Sequence, residues 1–493
     1  MPQGILPYKY EEEKSVSGMT SYAGLPVYLD LAVVLNLGES ISTHLHTKTQ
    51  GWTDEQMLFS LILLNLAGGN CVDDLRILEA DEGFCRILNR IELKGIKRKD
   101  RRQKETRWRK EKHRSVPSAS AVFRYLSAFH EEYTREAGKA VIPPLTDMLC
   151  ALEHINADFA SAVQKRNPVD CATLDIDATL VETQKKESLF SYKGYKAYQP
   201  LNTYWAEQGF MLHTEFRDGN VPAGYEQLRV FEKALSFLPD GVKSVRLRSD
   251  TAGYQHDLLT YCDDKEKHPR FGRIEFAIGC DVTQEFKKAV NEAKEWHPLL
   301  DKKGCITGEW AEVCFVPNKS ATTKKTEPYR YIALRELMKQ PHLLCMDSLP
   351  FQTITFENTQ YKLFGIVTNM DWEGGTLIRW QHERCGKSEE AHAVMKEDLA
   401  GGKLPSGKFG ENAAWWLIMV LAYNLNTAMK NLILRGSWVT KRMKAIRFHL
   451  INLPGRIMEK SRQLLIRFAQ DHPSLDILIR ARQRMMEIAY ASG

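Results

Sequence analysis

Apolar positions along the chain fall into two regimes. From residue 20 to about 165 they gather in runs with polar or charged flanks, which predicts helices. Leu29 to Leu37 and Glu55 to Leu66 are such runs, with Asp54 as the expected N-cap of the second. A third, Ala121 to Phe129, follows the helix-start signal Val116-Pro117-Ser118. From about 168 the period shortens. CATLDIDATLVET predicts a strand, with Leu174 and Ile176 pointing one way and Asp175 and Asp177 the other. Strands over Tyr195 to Trp205 and Phe210 to Phe216 follow, with Gly209 in the turn between them and Asp218-Gly219-Asn220 closing the second. Next come a helix (about Gly224 to Leu238), a short strand (Ser244 to Leu247) ending at Ser249-Asp250, a helix (Tyr254 to Cys262) and a strand (Arg273 to Gly279). Three strands in a meander, then helix, strand, helix, strand, predict an α/β layered fold on a mixed sheet.

Residues 284 to 360 interrupt that order with a helix, two strand-like runs (Trp310 to Val316, Tyr329 to Leu334) and a Lys-rich loop between them that holds Lys324 and Lys325. Tyr361 to Thr368 predicts a strand, and Arg384 to Leu399 carries charged residues into a helix with Ser388 as its N-cap. The 17 residues AAWWLIMVLAYNLNTAM from Ala413 approach the length of a membrane span, but Asn424 and Asn426 interrupt them. A core helix is the simpler reading. Ser437 to Met486 reads as a basic, helical tail. The expected organisation is a helical N-terminal region (1–165), a core in two parts (166–283 and 361–432), a β-rich insertion (284–360) and a basic C-terminal region (433–493).

Composition narrows the class. In 493 residues, 43 % hydrophobic and 10 % aromatic content excludes a disordered or collagen-like chain. The ten cysteines show no C-x-x-C pair and no zinc-ligand spacing, and the N-terminus has no signal-peptide pattern. Buried free thiols in a reducing compartment, the cytoplasm, are expected. The net charge of +6 is mild, but it is concentrated. Lys94 to Arg114 carries twelve Lys/Arg against Asp100, Glu105 and Glu111, a local net of +9. Such a run is either a solvated segment or a footprint for nucleic-acid phosphates. Trp108 within it and the helix directly after it point to the second, with Lys97, Arg98, Arg101, Arg102, Arg107 and Arg109 as candidate contacts.

Candidate chemistry centres on carboxylates. Asp175 or Asp177 on one strand and Asp250 at the end of another would share a sheet edge, where open α/β sheets place their sites. Adjacent acids repel unless a cation lies between them, and hard oxygen donors without nearby His or Cys suit Mg²⁺ or Mn²⁺. A third acid comes from RCGKSEEAH, as Glu389 or Glu390. In a regular helix Lys396 lies close to the azimuth of Glu389, with His392 on the same face, so Lys396 is a candidate phosphate contact. Arg384 and Lys387 are candidates for the DNA backbone, and Trp372 and Trp380 for stacking on an extruded base.

With these segments in view, the chain resembles the DDE transposases of bacterial insertion sequences. The carrying segments are LDIDATLVET, VRLRSDTAGY and RCGKSEEAHAVMKEDLAGGKLPSGKFGENAAWWLIMVLAYNL. The resemblance runs from about residue 20 to 480. It implies a ribonuclease H-like core, a catalytic and metal-binding triad at Asp177, Asp250 and Glu389, and two Mg²⁺ or Mn²⁺ ions. The 139 residues from Asp250 to Glu389 imply a β-rich insert, as in the cut-and-paste branch. A related branch carries Tyr, Arg, Glu and Lys around its third acid. Here Glu389 and Lys396 keep that spacing, whereas His382 stands at the Tyr position and Arg384 is one residue out of register. The implied activity is metal-dependent hydrolysis at terminal inverted repeats and strand transfer into target DNA, by a homodimer on double-stranded DNA, in the bacterial cytoplasm and away from membranes. An inactive DNA-binding descendant and a nuclease without strand transfer are the competing functions.

Overall fold

The structure is a computed structural model and describes residues 18–47, 51–92, 114–134, 139–317, 329–338, 351–357, 359–461 and 463–491. The basic run around Lys97, Arg98, Arg101, Arg102, Arg107 and Arg109 lies outside the described residues, as do Lys324 and Lys325. The chain forms two compact units. One combines Met1–Glu131, Thr146–Ile155 and Val394–Gly493; the other combines Glu132–Leu145 and Asn156–Ala393. The division differs from the expected second core segment 361–432, which is split at Ala393.

The first unit is mainly helical. Helix Asp54–Ala67 begins one residue earlier than Asp54 capping would give. Thr53 has the extended backbone of an N-cap, and its hydroxyl accepts from the Gln56 amide while the Gln56 side chain accepts from the Thr53 amide. Asp54 therefore sits in the first turn, where its charge suits the helix dipole. Every residue of helix Phe409–Ala428 is buried. The span 409–434 is long and apolar enough to cross a membrane, with mean hydropathy 1.3, yet 83 % of that window is covered by the protein. Asn426, one of its polar interruptions, accepts a buried hydrogen bond from the Tyr28 hydroxyl at 2.8 Å. The C-terminal tail is not wholly helical. With strands numbered along the chain, β15 (Gly455–Lys460) and β16 (Gln463–Arg467) pair antiparallel, and β1 (Met19–Thr20) joins β15. Alternating burial along β15 fits a half-covered strand, a period-two signal that the surrounding charge obscured.

The second unit is built on a ten-stranded mixed sheet flanked by helices. Its first strands are β2 (Cys171–Ala178), β6 (Leu201–Trp205), β7 (Phe210–Glu215), β8 (Ser244–Ser249) and β9 (Glu275–Cys280). Then come β10 (His297–Leu300), β11 (Ile306–Val313), β12 (Arg330–Leu337), β13 (Thr353–Phe356) and β14 (Thr359–Thr368). The order is β10-β11-β12-β14-β9-β8-β2-β6-β7, with β13 also on β14. β2, β8 and β9 run parallel to one another, and the other pairs are antiparallel. The strands expected as a separate β-rich insertion thus extend the same sheet, because β14 pairs with β9 on one side and β12 on the other. A small sheet, β3 (Val181–Glu182), β5 (Lys196–Tyr198) and β4 (Leu189–Phe190), lies within the β2-to-β6 connection. The nine described cysteines are free thiols, and four of them (Cys71, Cys305, Cys314 and Cys385) are exposed rather than buried.

Candidate active site

Parallel pairing of β2 with β8 sets the site. Ile176 is the register partner of Ser249, so Asp177 and Asp250 follow as neighbours at the carboxyl ends of adjacent strands. The sequence after Asp250 favours a tight turn. Asp250 Oδ1 accepts from the Ala252 amide at 3.0 Å and caps the short 3-10 helix Thr251–Gly253. Gly253 is required there, since a Cβ would lie 2.5 Å from Ser249 Oγ.

The third side of the site is helix Gly374–Ala393. Ser388 is not its N-cap but lies deep within it, because the helix starts fifteen residues earlier than the cap pattern suggests. Glu389 and Glu390 are therefore far from the first turn, and dipole stabilisation does not account for them. Arg384, Ser388 and His392 recur every four residues and share one face. All three approach one atom, Asp177 Oδ2. Arg384 Nη1 is 3.4 Å away, Ser388 Oγ 3.5 Å and His392 Nδ1 3.9 Å. Behind them, Asn202 Nδ2 lies 3.0 Å from His392 Nε2, and Thr214 donates to Asn202 Oδ1 at 2.6 Å. With the Asn202 amide donating to Nε2, a neutral His392 carries its proton on Nδ1, facing Asp177.

The electrostatics single out Asp177. Burial pushes its carboxyl up to about 6; the Arg384 charge opposes the rise, and the charges of Asp250 and Glu389 add to it. Both other acids of the expected triad thus act on Asp177. Asp175 has a different environment. It is wholly buried, and its two oxygens accept from Arg248 Nε and Nη2. A cleft of about 750 Å³ opens beside Asp250, Thr251, Gln381, His382 and Arg384.

A divalent cation is compatible with this donor set in chemistry. Asp177, Asp250 and Glu389 would supply hard oxygens, and Arg384 is the cation beside Asp177. Among the described residues, no three or more His, Cys, Asp or Glu side chains are grouped so that they could hold a metal ion.

The family model described as "Transposase DDE domain group 1" matches residues 14–326 and 350–489. The chain belongs to the transposase DDE family. No curated protein matches it. Among solved structures it is similar to a piggyBac transposase synaptic complex with hairpin DNA, at 8 % identity and a TM-score of 0.43, covering 95 % of this chain and 79 % of that one.

The remaining expected site residues of this transposase fall in several places. Arg384 is only 9 % exposed and lies against Asp177, so it belongs to the floor of the site rather than to a surface facing a DNA backbone. Lys387 is exposed on the same helix. Lys396 falls in the π-helical segment Val394–Asp398, in the other unit. The wider winding there breaks the azimuth count that aligned it with Glu389. Trp372 and Trp380 pack edge-to-face at 5.3 Å against the core around Leu377 and Ile378. Arg246 lies over the Trp372 ring and Arg248 over the Trp380 ring, each at 4.9 Å, so both rings already have cationic partners. Sequence reasoning read Ser388 only as an N-cap, placed His392 on the face of Glu389 and Lys396 without linking it to Asp177, and missed Asn202 and Thr214. The four-residue repeat of polar side chains ending at His392 was the available signal.

Proposed function

We propose that this transposase cuts DNA at the ends of a mobile element and joins the freed ends to target DNA, with Asp177, Asp250 and Glu389 as its catalytic acids. The observation that supports the reading is the pairing of strands that end in two of these acids, with the third on a neighbouring helix. Asp177 and Asp250 end neighbouring parallel strands, and Glu389 raises the Asp177 carboxyl from the helix alongside. The surrounding core is read as ribonuclease H-like. The acids would hold two Mg²⁺ or Mn²⁺ ions, which supply charge neutralisation and a water of lowered pKa for attack on a phosphodiester.

The chain's own residues do the rest. Arg384 screens the acids from one another and holds the Asp177 carboxylate in place. Ser388 and His392 approach that carboxylate from the same helix. Asn202 and Thr214 lock the His392 ring. Water first cleaves the phosphodiester at the element end, and the resulting 3′-hydroxyl then attacks a target phosphodiester, so no protein nucleophile is needed. Joining two ends calls for two copies of the site, and a homodimer on double-stranded DNA fits that need.

The test is cleavage and joining of DNA carrying the element's terminal repeats, with the Asp250→Asn and Glu389→Gln variants alongside. Loss of both reactions with DNA binding intact is expected. Cleavage without joined products would make the protein a nuclease, and loss of DNA binding as well would make the acids structural.

A further inference from the structure

The connection from β2 to β6 leaves the large sheet after Ala178, next to Asp177, and returns at Leu201, the register partner of Ala178. It carries the small hairpin β4–β5, and the hairpin presents two large aromatic side chains to solvent. Phe190 is 63 % exposed and Tyr192 75 %. Folding alone favours burying such rings, so their joint exposure on a short, ordered element marks a contact surface.

The hairpin is held rigidly. Gly194 donates to the Ser191 carbonyl and stands at φ +82°, and the Ser191 amide and hydroxyl both donate to the Tyr195 carbonyl. This is a three-residue turn with a left-handed glycine, a geometry that fixes Tyr192 at its apex. At its base, Gly219 passes so near that a Cβ would lie 2.4 Å from the Ala197 carbonyl oxygen. Tyr198 bridges to Asp218. Phe190 and Tyr192 flank Ser191, which is buried, so both rings stand on the outward side.

The charges around the rings identify the partner. Lys196 is the direct cross-strand partner of Phe190, Lys193 lies 5.9 Å from the Tyr192 ring centre, and Lys186 is exposed in the preceding turn. From Thr179 to Tyr198 the segment carries four lysines against two glutamates. Aromatic faces interleaved with ammonium groups fit a polyanion with flat bases. A dry protein interface would favour neutral surroundings.

We propose that the β4–β5 hairpin is a DNA-end contact, with Phe190 and Tyr192 stacking on bases unpaired near the cleaved terminus and Lys186, Lys193 and Lys196 holding the adjoining phosphates. This rests on the DNA-cutting reading above. It goes beyond that reading in assigning a single-stranded contact to the connection that leaves the Asp177 strand.

The experiment uses the full chain, a blunt duplex and the same duplex with a short unpaired 3′ tail carrying 2-aminopurine. The unaltered chain is expected to bind the tailed duplex more tightly and to quench the 2-aminopurine on stacking. The Phe190→Ala/Tyr192→Ala variant is expected to lose the quench and about tenfold or more in tail affinity, with blunt-duplex binding unchanged. The Lys193→Ala/Lys196→Ala variant is expected to lower the salt slope by about 1–2. A variant that quenches and binds like the unaltered chain overturns the hairpin contact and leaves the DNA reading standing. A variant whose only change is in self-association shows a contact between copies and also overturns it. Failure of the unaltered chain to bind either duplex overturns the DNA reading and this proposal together.

Discussion

Arg248 donates from Nε and Nη2 to the two oxygens of Asp175, at 2.6 and 2.8 Å, with both side chains buried. Its remaining nitrogen donates to the Trp380 carbonyl, and its plane lies over the Trp380 ring. Two aspartates two residues apart on one strand therefore have separate tasks. Asp175 ties β2 and β8 to the helix carrying Glu389, and Asp177 remains directed at the site. Breaking a buried pair leaves an uncompensated charge, at a cost of about 3–5 kcal/mol. Asp175→Ala should lower stability by that order in urea unfolding, and activity should fall only as the folded fraction does. A variant as stable as the parent but inactive would instead place Asp175 among the catalytic acids.

Asp177→Asn should have the opposite profile. A carboxyl with a native value of about 6, above its unfolded value of 3.8, is harder to ionise in the fold. The resulting cost is fully present above about pH 6 and fades toward pH 4. Replacing the group with a neutral isostere should therefore raise stability near neutral pH by about 1–2 kcal/mol, a gain of a few degrees in Tm, while abolishing cleavage. The gain should shrink as the pH is lowered. Thermal unfolding of parent and variant across that range measures it, and a destabilised variant at neutral pH would show that Asp177 mainly supports the fold.

His213 on β7 provides a second pH-dependent quantity. Burial pushes its imidazole down to about 4; the charges of Lys233, Arg229 and Arg217 add to the effect, and Glu215 partly offsets it. The ring is neutral in the fold but takes up a proton in the unfolded chain below about pH 6.5. Stability from this group is thus present above pH 6.5 and lost as the pH falls toward 4. His213→Gln should flatten the acid side of the stability profile. An unchanged profile would assign acid lability to other groups.

The layered α/β order was legible in the sequence because strand and helix periods alternate cleanly from residue 168 to 280. Asp250 was legible because it ends a predicted strand and is followed by small residues. The helix carrying Glu389 was misread at its start. Gly374 and Gly375 weaken any helical signal at its true beginning, and the Ser-Glu-Glu triplet imitates a capped first turn. Nothing local distinguishes Asp175 from Asp177, since the choice depends on Arg248, 73 residues away in the chain. The β strands of the C-terminal tail were hidden by their charge, as β16 alternates between intermediate and exposed positions without a buried face.

The basic run lends itself to a test that needs no structural detail. Lys97, Arg98, Arg101 and Arg102 lie within a segment of local net charge +9, larger than the +6 of the whole chain. If these side chains neutralise phosphates, each releases condensed counterions, and each contributes about 0.9 to the slope of log affinity against log salt. Replacing all four with alanine should weaken binding to every duplex and reduce the slope by about 3–4. Sequence preference should be little changed, because phosphate contacts set affinity and register rather than base choice. Binding titrations of parent and variant at several salt concentrations provide the measurement. An unchanged slope with unchanged affinity would make the run a solvated linker and shift the search for the DNA contacts to the rest of the chain.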